Sequence, residues 1–179
     1  MTGNGSSTSA DAAWIGIGGV SSSDLIQTGT VDSVSASGTA SYEAFYELLP
    51  DAALIIRGFA INAGDTMDAD IHETTTNTWS ISLTDDTTHQ QYTTTVSYAS
   101  SLSSAEWIEE DPSSDNGLVP LDTFGSVTFS GSMTTISGTA KNLNAASSAP
   151  ITLVDRYGRP LATPSAITTN GEGFTVTQN

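Results

Sequence analysis

The apolar residues of this chain come in runs of strand length, each cut off by turn residues, and that spacing constrains the fold more than any other feature. AWIGIGG at 13–19 gives way to Ser21-Ser22-Ser23-Asp24, then LIQTG at 25–29; SYEAFYELL at 41–49 stops at Pro50. LIIRGFAI at 54–61 ends at the turn Asn62-Ala63-Gly64-Asp65. MDADIHE at 67–73, TWSISLT at 78–84 and QYTTTVSY at 91–98 alternate with period two, so Trp79, Ile81 and Leu83 share one strand face. AEWIEED at 105–111, SVTFS at 126–130, ITLVD at 151–155 and GFTVTQ at 173–178 complete the set. Short runs recurring about every eight to twelve residues, with turn signals between them, predict an all-β sandwich or barrel.

Two stretches compete as helix. Residues 41–56 hold helix formers, but Pro50 divides them and their aromatic side chains favour a strand. Ser104 stands where a helix cap would, yet the residue three positions on is Trp107 rather than Glu, so 105–111 also reads as a strand. The Gly/Ser/Thr-rich residues 1–13 read as a flexible lead. Residues 14–179 read as one domain, with 113–116 and 142–150 as loops inside it.

Charge narrows the function. The 179 residues carry 20 Asp and Glu against 4 Lys and Arg, a net charge of -16 at pH 7. Such a field repels phosphate backbones and anionic lipid, so neither nucleic acid nor a membrane is an expected partner. No apolar run reaches the roughly 18 residues of a membrane helix, and the opening residues carry no basic or apolar signal region. A chain of this size buries about 70% of its unfolded surface and needs no covalent staples. That suits a sequence without cysteine, which also has no thiolate metal site and no thiol nucleophile. Serine and threonine supply about 30% of the chain, well above ordinary usage. Hydroxyls stay neutral at any pH, and protonating the carboxylates relieves self-repulsion, so the composition tolerates acid.

Few residues offer chemistry. His72 and His89 are the only histidines; with a carboxylate they can be imagined around a metal, but the second His of a zinc-peptidase helix is absent and strand-surface positions fit them better. The serine-rich stretches hold no Gly-x-Ser-x-Gly elbow. Asp65 to Asp70 lacks the glycine and terminal Glu of an EF-hand loop, and reads as a solvated strand edge. No metal or cofactor is therefore expected. Glu106, Glu109, Glu110 and Asp111 crowd one segment with Trp107 and Ile108. In a strand, Glu106, Ile108 and Glu110 share one face, and Trp107, Glu109 and Asp111 the other. Carboxylates so placed lose solvation and feel like charge, which raises their pKa toward general-base values; an acidic sheet edge is the plainer reading. Gln27 lies between Ile26 and the small Thr28-Gly29, where an amide either bonds nearby backbone or donates to a developing oxyanion.

Taken together, the segments resemble the glutamic peptidases, or eqolisins, and within them the cysteine-free bacterial type. The resemblance rests on AWIGIGG (13–19), LIQTGT (25–30), YEAFYELLP (42–50), AGDT (63–66), AEWIEEDP (105–112) and LVPLDTFGSVTFS (118–130), in family order. It implies a concanavalin A-like antiparallel β-sandwich, secretion as a proenzyme, and monomeric action on protein or peptide substrates at acid pH. The family's dyad falls on Gln27 and Glu110, with Glu109 in the variable position; Trp14 matches a tryptophan of the cleft and Glu47 a supporting carboxylate. The resemblance implies that Glu110 activates a water while Gln27 stabilises the oxyanion, without cofactor. Two features depart from the pattern. No strand carrying Asn-Trp-x-Gly precedes AWIGIGG, which implies an exposed sheet edge, and Gly18 stands where the family often has Asp. Other uses of such a sandwich are a non-catalytic carbohydrate-binding or adhesin-like module and a glycoside hydrolase, the last needing two carboxylates about 5–9 Å apart.

Overall fold

The structure, a computed structural model, describes residues 8–114 and 117–179. They fall into two compact units, one ending at Asp122 and the other spanning Thr123–Asn179. The first unit opens with β1 (Ser9–Gly18), β2 (Leu25–Val34), β3 (Ala40–Leu48) and β4 (Leu54–Ile55). Next come β5 (Met67–Thr75), β6 (Thr78–Asp85), β7 (Gln90–Ser97), β8 (Ala105–Glu110), β9 (Ser113–Ser114) and β10 (Gly117–Leu118). Two larger antiparallel sheets result, ordered β4-β3-β2-β1-β8 and β5-β6-β7, and β9 pairs with β10.

The period-two alternation explains how the two sheets pack. Trp79, Ile81 and Leu83 of β6 are 3%, 0% and 1% exposed, while the residues between them are only partly covered. They meet Ile17, Ile26, Ala44, Tyr46 and Leu48, which alternation puts on one face of the five-stranded sheet. This is a β-sandwich core. Tyr98, just past β7, ties its layers together: its hydroxyl donates to the Leu49 carbonyl (2.7 Å) and accepts from the Leu25 amide (2.7 Å). Its own carbonyl accepts from Trp79 Nε1 at 2.9 Å.

The second unit holds β11 (Ser126–Phe129), β12 (Met133–Ile136), β13 (Thr139–Asn142), β14 (Leu153–Val154), β15 (Pro160–Pro164) and β16 (Phe174–Gln178). Four of these form a sheet ordered β11-β16-β15-β14, and β12 pairs with β13 as a hairpin. Phe129 stacks on Phe174 across β11 and β16, centroids 5.1 Å apart.

The strand readings hold for most segments, 105–111 among them, and four places differ. Residues 1–7 of the expected lead lie outside the described residues, but Ser9–Ala13 belong to β1, paired with Val34–Thr30. The chain zips there because β2 is long enough to offer partners, and Asp122 N bonds the Ala10 carbonyl at 3.0 Å. Of LIIRGFAI, only Leu54–Ile55 pair; Gly58 takes φ 81° and turns the chain away. The strands β12, β13 and β15 were not expected. The signal for the hairpin was Ser137-Gly138, whose φ values of 51° and 76° suit a two-residue turn. Of the expected loop at 113–116, Ser113–Ser114 form β9, and 115–116 lie outside the described residues.

Truncating Ile81, fully buried between the sheets, leaves a cavity that facing strands cannot collapse into. Ile81→Ala is expected to cost roughly 2–5 kcal/mol by denaturant unfolding; a loss under about 1 kcal/mol would show that the sheets do not pack through β6.

Candidate active site

The other face of the five-stranded sheet carries Gln27, Glu47, Trp14 and Glu110, the residues singled out from the sequence. Backbone register sets its layout. Gly16 of β1 pairs with Gln27 on one side and Glu106 on the other, and Gln27 pairs with Glu47. Glu47, Gln27, Gly16 and Glu106 therefore form one row across four strands, all on one face. Trp14 pairs with Gly29 and Ile108, and Ala12 pairs with Val31 and Glu110. Trp14 and Glu110 thus share that face, in the next two rows.

Glycine makes this arrangement possible. A Cβ on Gly16 would stand 2.8 Å from Cζ3 of Trp14, 2.9 Å from Cδ1 of Leu25 and 3.3 Å from Oε2 of Glu106. The indole, the Leu25 methyl and the Glu106 carboxyl use the volume a side chain would take. On Gly29 a Cβ would meet the Ala13 carbonyl oxygen at 2.1 Å and the Trp14 Cα at 2.6 Å, so β1 and β2 can close only over glycine. Trp14 is 7% exposed and packs with Ala12, Leu25, Phe45 and Ile108. Gly18, where the family often has Asp, takes φ 94°, and a Cβ there would lie 2.4 Å from the Asp24 carbonyl oxygen. This turn excludes the carboxylate.

The site's polar groups are buried with few partners. Gln27 is 6% exposed; its Nε2 donates to Glu47 Oε2, while its Oε1 has no hydrogen-bond donor from the protein. Glu47 thereby fixes one amide N–H and leaves the other free. Glu110 is half-buried. Burial raises its pKa, the Trp14 indole N–H opposes the rise, and the charges of Asp111 and Glu47 add to it. Glu47 is thus bonded to Gln27 and within the electrostatic reach of Glu110, on the same sheet face. Gln27 and Glu110 themselves stand two strands apart and four residues out of register. The carboxylate in register with Gln27 is Glu106, which the sequence reading grouped with Glu110 by face but gave no part in the site.

Glu109 points the other way. It pairs with Ala13, so it lies on the face opposite Gln27 and is not placed to join it. There it forms a carboxyl cluster with Asp11, Asp32 and Asp122. Asp11 and Asp32 are directly opposed across β1 and β2, and Ser9 Oγ donates to Asp122 at 3.0 Å. Asp11 and Glu109 are 5% and 6% exposed, and no N–H or hydroxyl reaches either Glu109 oxygen. Its partner is the Asp11 carboxyl, and two carboxyls bond only when one keeps a proton. Burial, then the charges of Asp11, Asp32 and Glu110, push Glu109 up to about 9. Burial, then Asp11 and Asp122, push Asp32 up to about 6. Asp11 is itself raised by burial, partly offset by its bond with Glu109.

The histidines lie elsewhere. His72 Nδ1 pairs with Asp70 on the exposed side of β5, and His89 occupies the β6–β7 turn with φ 62°. Among the described residues no group of three or more His, Asp or Glu side chains is arranged to hold a metal ion.

An antiparallel sandwich with a buried amide and carboxyls gathered on one sheet face defines the class, the scaffold of the glutamic peptidases. The chain belongs to the Peptidase A4 family, the eqolisins, whose pattern it matches over residues 1–178. It is 33% identical over 171 residues to aspergillopepsin-2 of Aspergillus niger, covering 93% of this chain and 58% of that protein's length. It superposes on the crystal structure of aspergilloglutamic peptidase from Aspergillus niger with TM-score 0.83 and 31% identity, covering 96% of this chain and 99% of the other. The fold is also that of scytalido-glutamic peptidase bound to a transition state analog inhibitor, with TM-score 0.81, 24% identity, and 97% and 85% of the two chains covered.

The carboxyl cluster sets a pH dependence with a definite sign. Raised folded-state pKa values mean that the native chain holds protons the unfolded chain releases. The associated stability is complete below about pH 4, where unfolded carboxyls are also protonated. It is lost as pH climbs through about 6 for Asp32 and on toward about 9 for Glu109. Melting temperature is expected to fall steadily from pH 5 to pH 9, and Glu109→Gln, neutral at every pH, to flatten that fall. An equal decline in both proteins would show that the cluster plays no part.

Proposed function

We propose that this chain is an acid-acting endopeptidase that hydrolyses peptide bonds with Gln27 and Glu110. The observation that carries the reading is the Gln27 amide, buried on an enzyme-family scaffold, with one N–H taken by Glu47 and its carbonyl oxygen unclaimed by any protein donor. Such an amide is oriented before substrate arrives, and a preoriented donor costs no reorganisation when charge develops.

Ionised Glu110 takes a proton from a water molecule as its oxygen attacks the scissile carbonyl carbon. The carbonyl oxygen becomes an oxyanion and accepts the second Nε2–H of Gln27. The carbon–nitrogen bond then breaks, and Glu110 returns its proton to the departing amine. Trp14, bedded on Gly16, gives the site an apolar wall, and Glu47 holds the amide. The charge of Glu47 also helps to keep Glu110 basic.

The first test is digestion of denatured protein between pH 3 and pH 6 with pepstatin present. Gln27→Ala is expected to lower kcat about 10²–10³-fold, as for removal of one oxyanion donor, and Glu110→Gln to abolish turnover, both with unchanged circular dichroism. Full activity in either variant would refute the assignment.

The raised pKa of Glu110 carries a second expectation. The base must be ionised, so the acid limb of kcat/KM lies above the ordinary Glu value of about 4.3. Glu47→Gln removes a facing like charge while keeping an acceptor for Gln27. It is expected to move that limb to lower pH; a limb that stays put or rises contradicts the coupling.

A further inference from the structure

Glu106 has no part in the scheme above, yet it occupies the position in register with Gln27. It is 8% exposed, and neither carboxyl oxygen receives a hydrogen bond from the protein. Burial raises its pKa and Ser104 opposes the rise, although the Ser104 hydroxyl donates to the Gly18 carbonyl at 3.0 Å. Between Glu106 and Gln27 in this row stands only Gly16, and the space over it is filled by the Trp14 indole and the Leu25 methyl, apolar groups that screen charge little.

The charged groups that strand register sets near it are all acidic. Glu47 lies beyond Gln27 in the same row and Glu110 four residues along the same strand. The Asp24 carboxylate closes on Gly18, next on that face of β1. Trp14 and Leu25 are the apolar neighbours over Gly16. Arg57, the one Lys or Arg in residues 1–122, follows β4 at the opposite edge of the sheet. Burial without a cation favours the neutral carboxyl.

We propose that Glu106 sets the upper pH limit of catalysis by acting on Gln27 across Gly16. Neutral, it leaves the oxyanion position free of added negative charge. Ionised, it places a carboxylate in the row of the amide that must bind that oxyanion, in a site where water screens little. The penalty falls on the transition state rather than on bound substrate, so it lowers kcat with little change in KM. Glu106 acts through Gln27 in this scheme, which makes it a positioning residue. The inference rests on the proposed role of Gln27.

The test compares kcat and KM from pH 3 to pH 9 for the wild type and E106Q, with circular dichroism at every point to separate inactivation from unfolding. E106Q keeps the shape and polarity of the side chain but cannot ionise. Its alkaline limb is expected at least one pH unit above that of the wild type, the difference lying in kcat. A limb that superimposes on the wild type, or that follows unfolding in both proteins, overturns the proposal. Carbon-13 NMR titration of the Glu106 carboxyl in the wild-type protein gives a check that needs no variant. Ionisation coincident with the alkaline limb is expected, and a carboxyl already ionised at pH 5 overturns the idea. Loss of activity in Gln27→Ala beside an unshifted limb in E106Q would refute the role of Glu106 alone; an active Gln27→Ala would remove the reading beneath it.

Discussion

The pairing of β1 with β2 on one side and β8 on the other is the constraint from which the site follows. Side chains alternate strictly across a strand, so a slip of one residue in either pairing would exchange the two faces. In the observed register Gln27, Glu47, Glu106 and Glu110 share one face, while Asp11, Asp32 and Glu109 share the other. Gly16 and Gly29 hold this pairing in place. A side chain at either would collide with Trp14, and at Gly29 with the backbone of β1 itself.

Both faces of the sheet hide carboxyls from water, with different partners. On the site face an amide and an indole N–H lie among them; on the other, carboxyls face one another and are reconciled only by retained protons. Arg57 is the one Lys or Arg in residues 1–122, and it follows β4 at the edge of the sheet away from β8. The tolerance of acid expected from the composition accordingly rests on more than a scarcity of surface charge. Its interior is arranged for protonated carboxyls, and the same physics that poises the site favours folding at low pH.

Strand positions were legible wherever one face is buried, because burial writes a period of two into the sequence. TWSISLT is the clearest case, every second side chain being enclosed. The exposed hairpin β12–β13 left no such trace: Met133 and Ile136 are 47% and 42% exposed, and most of its residues are open to solvent. LIIRGFAI misled in the opposite sense. Its apolar residues cover the edge of the core around Ile56 and Phe59 from a turn, and packing there needs hydrophobicity without pairing. Residues 9–13 read as a lead on composition alone, which carries no information about the partner strand waiting in β2.

For the site, the segments around Gln27, Glu47 and Glu110 were legible because the family resemblance lies in short runs of local sequence. Face parity within 105–111 was legible too, and it separated Glu109 from Glu110 as soon as a strand was assumed. The sequence by itself determined which residue types can do chemistry, the all-β class and the acidic balance, since these depend on local order and composition. Only the tertiary structure decided that Glu106 rather than Glu110 is in register with Gln27, that Glu47 grips its amide, and that Glu109 is enclosed with Asp11. Those are facts about register and burial between strands up to about a hundred residues apart in the chain, and local sequence does not encode how distant strands slide into alignment.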